Sequence, residues 1–566
     1  MSQPAPKTKV ASPAPPAAWS RIVAFFGERW FSIDLRTLGL FRIALGIVLL
    51  GNLYQHTADG RLVAFLTNDG VLTNHFALFA PIQPRVWSFL FALSTPAEVT
   101  VGCLAILIVY LLFLVGWKTK AMQIAAPICF ISMINRNLFL QDGGSFVTTI
   151  LLVWTAFLPL GARLSLDSWR RGGSDAAAVA ATAHTSTRHG HPAHTSFVCL
   201  ALLIQLAFIY GLNAAHKAGP TWGDGSAVHY ILWQNSGNTV LGGWLRHHEP
   251  AFLSPLLTWG TLAFEWAAPV LILTPVLQLW SRRILMAAMF AFHSGIAVLI
   301  SLGTFSYVMI AYSTLFVSAA DWDVIERVVP RWVAGVRRRL PPRLDDWLSR
   351  LLAALRGAGR TAPVVPAAVA VTTPTPPWLS PTARRRLRRA GIGLREAVFA
   401  LIFVASMAEL SVVNQALPPS LRLQNRPRWM ADIVYYLRIY EIWAMFSPDP
   451  PLDNGRLIVD ATLADGSHYD PLTGAPPDFD APLGGPYLFG HDWAEYMAYY
   501  PWDRHRAYRF GFRDYVLNLM RNAPPERQLQ RFDVYFVSAL SPKPGETTVT
   551  GYKKELLLSH PGPPGS

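Results

Sequence analysis

AFIYGLNAAHKAGPTWGDGS, residues 207–226, is the point where a long apolar run stops at His216-Lys217 and gives way to Gly, Pro, Trp and Asp. The apolar residues that lead into it, from about Phe197 to Ala215, are enough to cross most of a bilayer at about 1.5 Å of rise per residue. Lys217 therefore stands at the end of a membrane helix. Its amine either snorkels to water or, if the following loop folds back over it, sits partly desolvated where burial disfavours the ammonium form.

Composition agrees with a membrane setting. Of 566 residues, 52% are hydrophobic and 15% charged, and the mean hydropathy is +0.28. That excludes an ordinary soluble enzyme, and the length excludes a single domain. The pattern predicts a polytopic α-helical membrane bundle of about eight to nine apolar helices, followed by a C-terminal extramembrane domain that is α+β or β-rich. The formal charge of +14 is concentrated: between Asp321 and Ala390 there are 14 Arg against 5 acids, flanked by apolar spans. This is a positive-inside signature rather than a phosphate-binding surface, so the lipid bilayer is the expected partner and nucleic acid is not. Cys103, Cys129 and Cys199 lie inside apolar runs. They indicate neither a disulfide framework nor a metal site, and no metal is expected.

Around the Lys217 helix the chain divides as follows. Residues 1–18 read as a disordered Pro/Ala tail, and Trp19 to Trp30 as a segment lying along the membrane surface. Apolar spans run from about Leu38 to Tyr54, Val99 to Gly116, Met122 to Ile134 and Phe146 to Leu160. Residues 172–194, rich in Ala, Thr and His, read as a low-complexity linker inside a membrane domain of 19–320. His184, His189, His191 and His194 are too irregularly spaced to favour a metal over a solvated linker. After the Lys217 helix comes a loop of roughly forty residues, long enough to be a lid. Spans follow at about Leu256 to Leu277, Ile284 to Leu302 and Phe305 to Ala319. A basic Pro/Arg-rich linker, 321–392, then precedes a last span within 393–417. With a cytoplasmic N-terminus, alternation puts every basic cluster on the cytoplasmic side. The loop after Lys217 and the C-terminal region, 418–566, then lie outside a cell (inner) membrane.

That C-terminal region changes character. Residues 427–446 carry Trp and Tyr at helical spacing and suit an interfacial helix. RLIVDATLADGSHYDP (456–471) reads as a strand meeting the turn signal Asp465-Gly466. A helical pattern near Asp503 to Met520 and strands at 532–540 and near Tyr552 to Leu558 complete a small mixed domain.

Ionisable groups inside apolar spans are costly and mark function or interhelical hydrogen bonding. Arg42, Glu265 and His293 are such groups, and Lys217 joins them at a helix end. Trp222, His229, Tyr230, Trp233 and Trp244 in the following loop supply either an apolar cover for Lys217 or an aromatic belt. Gly223-Asp224-Gly225 is too short to be a phosphate loop.

HKAGPTWGDG (216–225) followed by FHSGIAVLISLGTFSYVMIAYSTLF (292–316) resembles the membrane domain shared by vitamin K-dependent gamma-carboxylases and their bacterial relatives, the HTTM (horizontally transferred transmembrane domain) proteins. FSIDLRTLGLFRIALG (31–46), NDGVL (68–72) and WAMFSPDPP (443–451) are similar to the bacterial branch. The resemblance implies a reduced quinone, vitamin K hydroquinone or menaquinol, used with O2 and CO2. Lys217, five residues before Trp222, takes the position of the base that deprotonates the quinol. Glu265 and His293 take the positions of the family's intramembrane acid and of the His in its FH segment. Quinol contacts are expected from Arg42, Trp222, Asp224 and Tyr307. Removing the Lys217 side chain would on this reading cost activity and little packing. The family's further catalytic His has no counterpart: ISMINRNLFLQDGG (131–144) carries Asn135, Arg136 and Asn137 instead. Two functions follow. One is a quinol-dependent carboxylase-like membrane enzyme modifying a peptide or small molecule. The other is a non-enzymatic membrane partner in peptide export, maturation or immunity, with a peptide or protein client at the outer face.

Overall fold

The computed structural model describes residues 25–79, 85–170, 185–188, 191–234, 238–337, 381–480 and 490–561. The tail 1–18 lies outside the described residues, as do most of the 172–194 tract and the middle of the 321–392 linker. Each apolar span expected from the sequence has a helix at its centre: α1 (Leu35–Thr57), α2 (Pro96–Val115), α3 (Thr119–Arg136), α4 (Gly143–Thr155), α5 (Phe197–His216), α6 (Leu253–Leu273), α7 (Gln278–Leu299), α8 (Phe305–Ser313) and α10 (Pro381–Val413), with α9 (Ala319–Arg337) between the last two.

Six of these, α1, α2, α5, α6, α7 and the Arg389–Val413 part of α10, are long and apolar enough to cross a membrane, against the eight to nine expected. A seventh is made by the α8 region and α9 if that pair, bent by 97°, counts as one span. The shortfall has a physical cause. Lys120, Gln123 and Arg136 lower the hydropathy of α3, and α4 has only 13 residues. Residues 144–155 of α4 are buried except the half-buried Phe146, so this helix meets mainly protein rather than lipid and need not match the thickness of the bilayer. Its crossing with α8 is close: a Cβ on Gly144 would lie 2.6 Å from the backbone N of Phe305.

Local signals place the helix ends. Asp34 caps α1, a Thr95–Glu98 capping box opens α2 with Pro96 at its first turn, and Asp142 caps α4. Contacts sort the ends of the helices into two groups. At one end Gln278 and Arg282 donate to Arg29 O, Arg36 pairs with Glu326, and Asp167 accepts from the backbone N–H groups of Lys118 and Thr119. The basic clusters gather here. The opposite end carries Lys217 and the C-terminal region.

Two stretches read as linker carry regular secondary structure in their described residues. β2 (Thr185–Arg188) and β3 (His191–Thr195) form an antiparallel sheet with β1 (Ser32–Asp34) in the order β1-β3-β2. Thr-rich β-branched sequence favours this, and the residues read as a linker here tie α5 to the start of α1. The basic 321–392 stretch is helical at both its described ends, in α9 and the first turns of α10.

The interfacial helix is shorter than its aromatic pattern suggests. α11 covers Arg428–Leu437 and stops at Arg438, which adopts a left-handed conformation at φ 54°. The chain then runs without helix into the bundle, burying Ile439, Glu441 and Trp443, and Ser406 of α10 donates to the Glu441 carboxylate. Beyond it lies a four-stranded antiparallel sheet, β5-β4-β6-β7, formed by β4 (Asp453–Leu463), β5 (His468–Tyr469), β6 (Leu529–Leu540) and β7 (Thr550–His560). Gly466 at φ +81° closes the β4–β5 hairpin, where a side chain would be strained. α12 (Gly490–Tyr499) and α13 (Arg509–Met520) pack on the sheet through Trp493, Tyr496 and Phe512, joined by Phe65 and Phe139 from short helices of the bundle, Arg61–Leu66 and Leu138–Leu140.

Candidate functional site

Lys217 follows the last residue of α5, and the loop after it does fold back. Pro220–Asp224, Ala227–Leu232 and Val240–Leu245 are short helices, and Trp222 and Trp233 are buried while Trp244 is exposed. The amine does not reach water. Lys217 is 7% exposed and its Nζ donates to both carboxylate oxygens of Glu265 on α6, at 2.6 Å each. Asn213, one turn back on α5, donates to the same carboxylate at 2.8 Å, and the Trp222 ring centroid lies 5.0 Å from Nζ.

This pair forms one side of a cavity of about 270 Å³ enclosed by α5, α6, α7, the loop after Lys217 and the start of α8. Lys217 and Glu265 are the formally charged residues in its lining; most others are apolar, among them Ile209, Leu257, Phe292 and Phe305. His293 of α7 also lines it. Its Nε2 is 2.8 Å from the Tyr210 hydroxyl, and its Nδ1 has no partner. If Tyr210 donates, Nδ1 bears the free proton; if Nε2 donates, Nδ1 is a free acceptor. Either tautomer leaves one hydrogen-bonding position unfilled in an apolar chamber.

The cavity is roofed from far along the chain. Met445 and Phe446 line it, and residues 445–449 form a strap. Met445 N donates to Asn213 Oδ1 at 2.8 Å, Trp222 Nε1 to Phe446 O at 3.0 Å, and Gly219 N to Pro448 O at 3.0 Å. Asp449 Oδ1 accepts from Thr221 N and Oγ1, at 2.9 and 2.5 Å. A Cβ on Gly219 would lie 2.0 Å from the Asp449 carboxylate, so glycine here lets the carboxylate sit where it meets Thr221.

Of the residues singled out in the sequence, Lys217, Glu265, His293 and Trp222 meet at this cavity. Arg42, Asp224 and Tyr307 do not line it. Arg42 is buried at the opposite end, donating to Phe113 O and Leu114 O at 2.9 and 2.8 Å and to Leu164 O. It satisfies the free carbonyls that end α2, where a cation is favoured by the helix dipole. Asp224 bonds its own turn through Ser226, and Tyr307 is 55% exposed. Asn135 and Asn137 donate to backbone carbonyls of Trp87 and Phe65, and Arg136 to that of Leu72. Sequence reasoning missed Tyr210 and Asn213, although 210, 213 and 217 share one helix face. Nothing local in WAMFSPDPP (443–451) shows in the sequence that it covers the site.

The cavity size suits the expected ligand head. A void of about 150 Å³ takes a benzene, so this one has room for a two-ring head, and the unfilled His293 Nδ1 offers that head a hydrogen bond.

Searches of curated proteins and of solved structures return no match. A family model, the HTTM domain, matches residues 31–322, just over half of the chain and every residue of the cavity except those of the strap. The chain belongs to the HTTM domain family, as an integral membrane protein with several apolar helices.

Proposed function

We propose that this protein is a membrane enzyme in which Lys217 exchanges a proton with the hydroxyl of a lipid quinol held in the cavity, and that its product acts on a peptide or small molecule at the outer face. The observation that carries this reading is the Lys217–Glu265 pair, buried at the side of an apolar chamber. Ammonium with carboxylate and amine with carboxylic acid have the same net charge, so a proton can pass between Nζ and the carboxylate over 2.6 Å without charging the chamber. In the second form Lys217 is a free amine able to accept a proton from a bound hydroxyl; the resulting oxyanion balances the new ammonium while Glu265 keeps its proton, so the chamber stays neutral overall. His293 orients the head, and Trp222, Met445 and Phe446 exclude water from the exchange. A reduced quinone bound here would supply the acidic hydroxyl and, with O2, the strong base that the family resemblance implies. The N-terminus is taken as cytoplasmic and the C-terminal domain as extracytoplasmic, the arrangement that puts the basic end of the bundle inside a cell membrane.

The test is quinol epoxide formation by the full-length protein in nanodiscs, with menaquinol or vitamin K hydroquinone under oxygen. Lys217→Arg is the informative variant, because guanidinium keeps the charge beside Glu265 but does not deprotonate. Epoxide from the wild type and none from a folded Lys217→Arg supports the reading. No epoxide from folded wild type with either quinol, or equal epoxide from both proteins, overturns it. Absence in both favours a client-binding role for the C-terminal domain.

A further inference from the structure

The cavity does not stop inside the protein. Four residues that line it, Leu256 and Gly260 on α6 and Ala291 and Gly295 on α7, are themselves exposed on the outer surface of the bundle, Leu256 by 60%. They lie on facing stripes, one helical turn apart within each pair. A Cβ on Gly260 or Gly295 would meet nothing within 4 Å. With no side chain at either glycine, the chamber is left open sideways between α6 and α7.

The surroundings of this mouth are apolar. α6 and α7 are the least enclosed of the six spans, with 22% of each buried, and Trp259, Val270, Phe290 and Val298 are exposed along them. At about 1.5 Å per residue, Gly260 lies about 10 Å from the outer end of α6 and Gly295 about 6 Å from that of α7. That depth is within the hydrocarbon or at its edge, where a polar ligand dissolved in water does not arrive. The chamber itself has room for a compact head and not for a long chain as well.

We propose that the cavity is loaded sideways from the bilayer through the slit bounded by Leu256, Gly260, Ala291 and Gly295. Its ligand is a single-chain lipid whose head reaches Lys217 and His293 while its chain stays in the slit. The entry route stands on geometry alone; only the identity of the head rests on the quinol reading. Gly260 and Gly295 are the positions that decide which chains fit, since any larger side chain there fills the gap.

The experiment uses the full-length protein in phosphatidylcholine nanodiscs with a long-chain alcohol bearing a photoreactive diazirine beside its hydroxyl, with labelled sites mapped by mass spectrometry. Wild type should be labelled within 209–217 and 445–446. Gly260→Leu/Gly295→Leu should lose that label at least tenfold while keeping it on the outward residues Val101, Leu104 and Ile108 of α2. Leucine at exposed helical positions favours the helix, and an unchanged thermal midpoint confirms the fold. Undiminished cavity label in the plugged variant overturns the slit. So does a wild-type cavity without label beside a labelled α2, the result expected if a second copy of the chain covers α6 and α7. Quinol turnover separates this from the preceding proposal. Label lost on plugging, with no epoxide from wild type, keeps the slit and removes the quinol. Epoxide that survives the plugs removes the slit and keeps the quinol.

Discussion

At the scale of single residues, burial of the Lys217–Glu265 pair changes what substitution does. With Lys217 at the end of a span, removing it should cost little beyond a base; with both partners buried and bonded, Lys217→Ala strands a carboxylate in an apolar chamber. Breaking one side of such a pair costs about 3–5 kcal/mol, whereas replacing both sides by apolar groups is often neutral. Lys217→Ala and Glu265→Leu should each lower the thermal midpoint in detergent clearly, and Lys217→Met/Glu265→Leu should recover most of the loss. Additive losses in the double variant would refute the pairing as an energetic unit. His293→Ala leaves the buried Tyr210 hydroxyl without its 2.8 Å partner and should cost about 1–3 kcal/mol; an unchanged denaturation midpoint contradicts that. Glu265 and His293 stood out in the sequence because an ionisable group in an apolar run is costly; Lys217, at a helix end where snorkelling is cheap, stood out through the family resemblance. Tyr210 and Asn213 did not, since neutral polar residues in membrane helices are ordinary and only the fold shows what they face. Arg42 satisfied the same criterion and turned out to cap a helix end, which shows that the criterion finds cost rather than chemistry.

Among elements, the strap at residues 445–449 is the least foreseeable part of the site. It comes from more than 200 residues beyond Lys217, and nothing local in WAMFSPDPP says which surface it covers; only the register of the C-terminal chain along α10 and the bundle does. Its attachment is mainly polar: Asn213, Gly219, Thr221 and Trp222 each hold one of its backbone or carboxylate groups. Such a contact opens locally at less than the cost of global unfolding. Asp449→Ala removes two hydrogen bonds to Thr221, at about 0.5–1.5 kcal/mol each. Amide exchange within 443–451 and 218–233 should then rise about tenfold while exchange in α1 and α2 stays unchanged. Exchange unaltered in the strap would mean that it is held by the burial of Phe446 and Met445 instead. Gly219→Ala, by pushing on the Asp449 carboxylate, should act in the same direction.

For the whole molecule, hydropathy and charge made the bundle legible, and strand alternation with the Asp465-Gly466 turn did the same for the sheet. How the two halves meet was hidden, because docking is made by polar pairs and by apolar residues of short segments, Phe65 and Phe139 among them, scattered along the chain. His491, at the start of α12, sets its Nε2 3.1 Å from Asp142, the cap of α4, and Asp492 beside it accepts from Gln55 and lies 2.9 Å from His56 of α1. Burial works against the His491 imidazolium, but the hydrogen bond and charge of Asp142, with Glu495 and Asp492 nearby, overcome it and raise the group from 6.5 to about 9. A histidine held above its unfolded value contributes stability that is complete below about pH 6.5 and is lost as the pH rises through about 9. Burial pushes the Glu495 carboxyl up to about 7, which also lowers stability with rising pH, though in a lower window from 4.5 to about 7. The thermal midpoint in detergent should therefore fall between pH 6.5 and 9, with sheet and α12 amides losing protection before those of α1 and α2. In His491→Gln the decline over that window should flatten, because a neutral amide still bonds Asp142 but no longer titrates. An equal decline in the variant would place the pH-sensitive contact elsewhere than the joint between the bundle and its C-terminal domain.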